Sequence, residues 1–152
     1  MPNNAIDLLQ RAEQICQQRA VRFTPIRQKV FSIMAEQNGS ISAYYLLDRL
    51  RETEKGAKPP TIYRALDFLL EQGFIHKIES INAYILCPHF GTQHPMQLLI
   101  CDHCGVVIEL HDETIDKAFS VQAQHHGFSI SNTTLEAHGI CQPCQEKRQP
   151  NS

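Results

Sequence analysis

The chain has 152 residues, room for one ordinary domain or two small ones, and its 14 Lys and Arg against 16 Asp and Glu give a net charge of −2. The opening MPNNAIDLLQRAEQ lacks a basic patch followed by an apolar stretch, and no run approaches the roughly 18 apolar residues of a membrane span, so a soluble, cytoplasmic protein is expected. Six cysteines in that setting argue for reduced, metal-binding thiols over a disulfide framework.

From Ile6 to Arg19, Ile6, Leu9, Ala12, Ile15 and Cys16 recur at three and four residues and predict an amphipathic helix, with Cys16 a packed core thiol. Thr24 and Pro25 open a second helix as N-cap and first-turn proline, with Ile26, Val30, Ile33 and Met34 inward and Asn38-Gly39 as its stop. Ser42 caps a third helix with Leu46, Leu47 and Leu50 on its core face and Tyr44, Asp48 and Arg51 outside. After the break at Lys55 to Pro60, a fourth helix is predicted from Thr61 to Gln72. It turns Ile62, Ala65, Leu66 and Leu69 inward, shows Thr61, Tyr63, Arg64 and Asp67 outside, and stops at Gly73.

Two β-rich runs, 74–79 and 83–87, flank Ser80-Ile81-Asn82 and predict a hairpin. Short helices followed by a hairpin make the winged-helix version of helix-turn-helix, although the connection before the fourth helix is longer than the usual three or four residues. Residues 88–93 read as a hinge. Beyond it, strands are expected over 96–100 and 106–110, a helix over 113–125 with Ile115, Ala118, Phe119 and Ala123 inward, and a strand over 128–137. The fold class is therefore α+β: a winged-helix DNA-binding domain over 1–87, a hinge over 88–93, a small α/β domain over 94–147 and a disordered tail over 148–152. Divided at Cys87, the first part carries 11 Lys and Arg against 9 Asp and Glu and the second 3 against 7, or +2 and −4. The two parts therefore face different electrostatic partners.

Cys101-Asp-His-Cys104 and Cys141-Gln-Pro-Cys144 are two Cys-x-x-Cys pairs separated by 36 residues. Two intervening residues let both thiolates of a pair turn to one point, so the pairs supply the four soft ligands of a tetrahedral Zn²⁺ at about 2.3 Å. Such a closed set has no open position for water or substrate and is structural. On the fourth helix, Arg64 stands where a helix-turn-helix reader meets a guanine edge, while Thr61, Tyr63 and, from the third helix, Tyr44 face phosphates or thymine methyls. Asp48 and Arg51, three apart, either pair with each other or bridge neighbouring molecules on DNA. His76, Cys87, His94 and Glu109 form a second, mixed donor set spread across the hinge; its charge of −2 matches Zn²⁺, and thiolate favours zinc over manganese or iron(II). Metal bound there would couple to DNA binding. His89, His111, Asp112, His125 and His126 are candidates for a further site that no spacing requires.

The run PPTIYRALDFLLEQGFIHKIES, with Cys87, the CDHCG motif and the terminal CQPC, resembles the ferric uptake regulator family of bacterial metal-sensing repressors, and within it the zinc uptake regulator subgroup. The resemblance covers roughly Ile6 to Lys147. It implies a dimer with an N-terminal winged-helix domain and a C-terminal dimerisation domain, a structural zinc on Cys101, Cys104, Cys141 and Cys144, and a sensing zinc on His76, Cys87, His94 and Glu109. It also implies DNA contacts at Tyr44 and Arg64, and a bridge between adjacent dimers, two to an operator, at Asp48 and Arg51. The His-His-Asp-His run of iron-sensing members is replaced by Cys-Pro-His-Phe-Gly-Thr-Gln-His. The expected function is a zinc-responsive repressor of zinc uptake genes, with an iron, manganese or peroxide sensor of the same fold as the alternative. A zinc hydrolase or deaminase needs an open coordination position and an H-x-E motif, where this chain has Glu-Ala-His-Gly, so no enzyme is expected. A thiol–disulfide oxidoreductase needs one reactive pair, not two converging ones.

Overall fold

The computed structural model describes residues 5–37, 39–87 and 95–148. The chain divides into two compact units, 1–93 and 94–152. Together they hold six α-helices and two small sheets among the described residues, an α+β fold.

In the first unit, α1 (Ala5–Arg19), α2 (Pro25–Glu36), α3 (Ala43–Leu50) and α4 (Pro59–Glu71) precede a hairpin of β1 (Ile75–Ile78) and β2 (Ala83–Leu86). Sequence chemistry sets the helix starts. The Thr24 and Ser42 side chains accept from the backbone N–H of Arg27 and Tyr45, each satisfying an orphan first-turn donor. α4 begins at Pro59, two residues before the expected Thr61, because proline's fixed φ suits the first helical turn and its missing N–H has no partner to lose there. Gly73, at φ +75°, turns the chain off the end of α4 in the left-handed region glycine enters without strain.

One core fills this unit. Val30, Phe31 and Met34 of α2, Leu46, Leu47 and Leu50 of α3, and Ile62, Ala65, Leu66, Phe68 and Leu69 of α4 are buried against Leu8, Ala12 and Cys16 of α1. Ile6, expected on the inner stripe of α1, is exposed, and Leu8 takes the buried place. Burial of the Cys16 thiol raises its pKa, as expected of a core residue. Four rings knit the centre: Phe31 stands edge-on to Phe23 at 6.1 Å and to Phe74 at 5.9 Å, and Phe68 stacks on Phe23 at 6.1 Å. Each such pair contributes about 0.5–1.5 kcal/mol beyond its buried area.

The hairpin pairs Ile75 with Leu86 and His76 with Ile85, and an isolated bridge from Ile41 to Tyr84 adds a third extended segment. A 3₁₀ turn (Glu79–Ile81) and Asn82 in the left-handed region reverse the chain at the wing tip.

In the second unit, β3 (Met96–Cys101) is central, antiparallel to β4 (Val107–Leu110) and parallel to β5 (Thr134–Gly139). α5 (Glu113–His125) supplies the crossover. The buried Gln97 amide docks its start: Nε2 donates to the Asp112 carbonyl at 3.0 Å and to Asp116 Oδ1 at 2.8 Å, while Oε1 accepts from the Asp112 N–H at 3.1 Å.

Three expectations change here. The last strand starts at Thr134, not Phe128, since Gly127 and a bend at Ser131 interrupt the apolar run. A short helix, α6 (Gln142–Arg148), follows Cys141, so Arg148, expected in a disordered tail, is helical; residues 149–152 lie outside those described. The expected inner face of α5 is not inner: no α5 residue is buried, and Ile115 and Phe119 are exposed.

Candidate metal centres and nucleic-acid interface

The two Cys-x-x-Cys pairs converge. Ligand atoms of Cys101, Cys104, Cys141 and Cys144 all lie within 4.8 Å of one another, the one such grouping among the described residues. Cys101 ends β3, the knuckle turns back at Gly105 with φ +81°, and the Gly105 N–H donates to the Cys101 carbonyl at 2.9 Å. Cys141 and Cys144 flank the start of α6.

The donor set fits Zn²⁺. Sulfurs of a regular tetrahedron with Zn–S near 2.3 Å stand about 3.8 Å apart, and Cys104 Sγ lies 3.7 Å from Cys141 Sγ. Backbone N–H groups of Cys104 and Cys141 point at Cys101 Sγ at 3.5 and 3.4 Å. Those donors favour the thiolate and lower the Cys101 pKa to about 5. The Cys144 thiol is pushed up to about 12 by its hydrogen bond with Cys141 and by burial. His103 Nδ1 lies 3.7 Å from Cys144 Sγ, and His138 Nδ1 lies 3.2 Å from Asp102 Oδ1, tying β5 to the knuckle. Spacing alone foretold neither outer contact, because both depend on how β5 pairs with β3.

The second donor set is described in parts. The Cys87 N–H donates to the Phe74 carbonyl at 3.0 Å, continuing the register in which His76 faces Ile85. Because alternate strand residues share a face, half-buried His76 and fully buried Cys87 lie on one side of the hairpin, a diagonal step apart. In the second unit, Glu109 of β4 faces Leu98. Its Oε1 is buried without a hydrogen bond among the described residues, and His111 Nε2 stands 3.5 Å away. A buried carboxylate oxygen so placed suits a cation. His94 and His89 lie outside the described residues.

The outer face of α4 is open. Tyr63 and Arg64 are exposed one turn into the helix, and on α3 Tyr44 is 79% exposed. Thr61 is committed otherwise: its Oγ1 accepts from the Lys58 N–H at 3.4 Å, part of the helix cap, which limits what it can give a phosphate. Asp48 and Arg51 form no ion pair with each other among the described residues. Arg51 Nε instead donates to the Ala57 carbonyl at 2.9 Å.

A winged helix with an exposed aromatic and basic face, followed by a unit built around four converging thiols, defines a DNA-binding type of protein that carries a zinc-type module. The sequence profile of the ferric uptake regulator family matches residues 18–138. The chain belongs to that family. It is similar to the zinc uptake regulation protein of Escherichia coli strain K12, with 52% identity over 92% of this chain and 82% of that one. It is similar also to a solved zinc uptake regulator complexed with zinc and DNA, with 50% identity, a TM-score of 0.89 and coverage of 95% of this chain and 97% of that one. The structure of holo XcZur matches with 41% identity and a TM-score of 0.81, over 91% of this chain and 97% of that one. No helix among the described residues is long and apolar enough to cross a membrane.

Proposed function

We propose that this protein is a cytoplasmic, zinc-responsive transcriptional repressor, a homodimer that binds operator DNA when zinc is plentiful and silences zinc uptake genes. One observation carries the reading: an exposed Tyr44, Tyr63 and Arg64 face and a converged four-cysteine site occur in a chain 52% identical to a zinc uptake regulation protein.

Two zinc ions per chain are proposed. Cys101, Cys104, Cys141 and Cys144 hold the structural ion, whose four bonds substitute for the apolar core a small unit cannot build. His76, Cys87, His94 and Glu109 hold the sensing ion. Support for the second set is the shared face of His76 and Cys87 and the buried oxygen of Glu109, which makes no hydrogen bond among the described residues and stands 3.5 Å from His111 Nε2. Donors drawn from the wing hairpin, the segment after it and β4 link the DNA-reading unit to the dimerising one, so occupancy favours the arrangement that spans two half-sites. In this scheme Arg64 reads a base edge, Tyr44 and Tyr63 contact backbone or methyl groups, and Asp48 and Arg51 meet a second dimer on the same operator. Nothing in this scheme requires chemistry on a substrate.

The test is DNA binding against buffered free zinc for wild type and Cys87→Ser, with metal content measured in parallel. Cys87→Ser is expected to keep about one zinc per chain, as a closed four-thiolate site would, and to lose zinc-dependent binding. An unchanged zinc response in the variant would remove Cys87 from the sensor. Equal response of wild type to iron(II) or manganese(II) would sink the zinc assignment.

A further inference from the structure

The connection between α3 and α4 spans residues 51–58, longer than the three- or four-residue turn of an ordinary helix-turn-helix. Left loose, it would let the reading helix swing. A 13-residue helix is about 20 Å long, so a tilt of about 10° carries its end about 3 Å, more than a hydrogen bond to a base edge tolerates.

The connection is tied down. Arg51, the C-cap of α3, sends Nε across the loop to the Ala57 carbonyl, one residue before the N-cap Lys58 of α4. Ala57 is buried, its N–H donates to the Glu54 carbonyl at 3.0 Å, and Glu54 is ion-paired with Lys29 of α2. At the other end of α4, Arg19 closes α1 and directs Nη1 to the carbonyl of Gln72 at 2.8 Å and to its Oε1 at 2.9 Å. Gln72 is the C-cap of α4, where a cation also meets the negative end of the helix dipole. The Arg19 guanidinium lies 6.0 Å from the Phe74 ring. One guanidinium thus brackets each end of the reading helix.

We propose that Arg51 and Arg19 are positioning residues for DNA recognition, acting on the duplex through the pose of α4. This rests on the assignment of α4 as the reader. It gives Arg51 a task inside one chain, in addition to any contact between dimers, and the two are separable on DNA that holds a single dimer.

Wild type first selects a duplex from a random-sequence pool, and the duplex is trimmed to the shortest that binds one dimer. Binding to it and to a scrambled duplex of equal composition is then measured across salt concentrations for Arg51→Met, Arg19→Met and the charge-retaining Arg51→Lys. Each variant is expected to bind the selected duplex about tenfold more weakly, the scale of a charge-assisted hydrogen bond partly exposed to water. The scrambled duplex is expected to stay within about twofold, with the salt slope of a protein that has lost no phosphate contact. Arg51→Lys should follow Arg51→Met, because an ammonium lacks the planar donor. Mere loss of folded protein would weaken both duplexes alike. That outcome, a salt slope smaller by about one per subunit, or unchanged single-dimer binding would each overturn the proposal. Failure of wild type to select any duplex would overturn the DNA-binding reading and this proposal with it.

Discussion

Arg64 stands exposed one turn into α4, with Ala65 and Leu66 beside it buried, so its backbone is fixed while its guanidinium is free to reach out. Arg64→Ala is expected to cost about 1–3 kcal/mol of operator binding and to relax preference at one base position, as for loss of a bidentate contact to guanine. Selection from a random duplex pool with the variant measures both, and unchanged preference would move the reader elsewhere. Cys101 makes a different, pH-dependent prediction. Its pKa is depressed from the ordinary thiol value to about 5 by the Cys104 and Cys141 N–H groups, so its preference for the ionised, ligating form is in place above the ordinary value. That preference is lost as pH falls through about 5. Zinc extraction by a fixed chelator is therefore expected to accelerate steeply as pH falls toward that value, and a rate indifferent to pH would contradict the role of these donors.

At the scale of elements, what was legible followed from periodicity and spacing. Leu46, Leu47 and Leu50 of α3, and Ile62, Ala65, Leu66 and Leu69 of α4, are buried as their helical spacing requires, because neighbours in the same unit cover them. The four cysteines converge because Cys-x-x-Cys is a local geometry and needs only one long-range event, the pairing of β5 beside β3. Arg51 was not legible: sequence offers it Asp48 three residues back, and nothing local reveals that the loop folds the Ala57 carbonyl within reach. The start of the last strand was misplaced since Phe128 to Ile130 has strand-like composition, whereas β3 begins its parallel register opposite Thr134. Two substitutions test the elements. Phe31→Ala removes a fully buried ring that touches Phe23 and Phe74 and is expected to destabilise the first unit by about 3–5 kcal/mol, read by urea unfolding. Cys104→Ser leaves three thiolates, so the variant is expected to lose about one zinc per chain and to unfold its second unit, seen as lost amide protection confined to residues 95–148. Full zinc content in Cys104→Ser would show that the four cysteines are not one site.

At the scale of the molecule, the second unit exposes apolar side chains on its helix and on its sheet. Ile115 and Phe119 of α5, with Phe128 beyond it at 68% exposed, line an apolar groove of about 630 Å³. Leu99 of β3 and Ile108 of β4, opposite each other in the sheet, are also exposed. Patches of this kind mark association surfaces, and a self-complementary one closes as a two-fold dimer. The apolar spacing of α5 assigned its face to the interior wrongly, and a face of that spacing is one a second copy would cover. A second copy as occupant also meets the electrostatics of the chain. A surplus of two positive charges in the first part is small for phosphate binding, but two reading heads on one duplex would double it and convert the second contact into an intramolecular event. Phe119→Asp is therefore expected to sediment as a monomer where wild type sediments as a dimer, while retaining the four-thiolate zinc. Its operator binding should fall by about a hundredfold or more, the advantage that linked binding ordinarily confers. If the variant stays dimeric and binds DNA as wild type does, the apolar face of α5 serves something other than self-association.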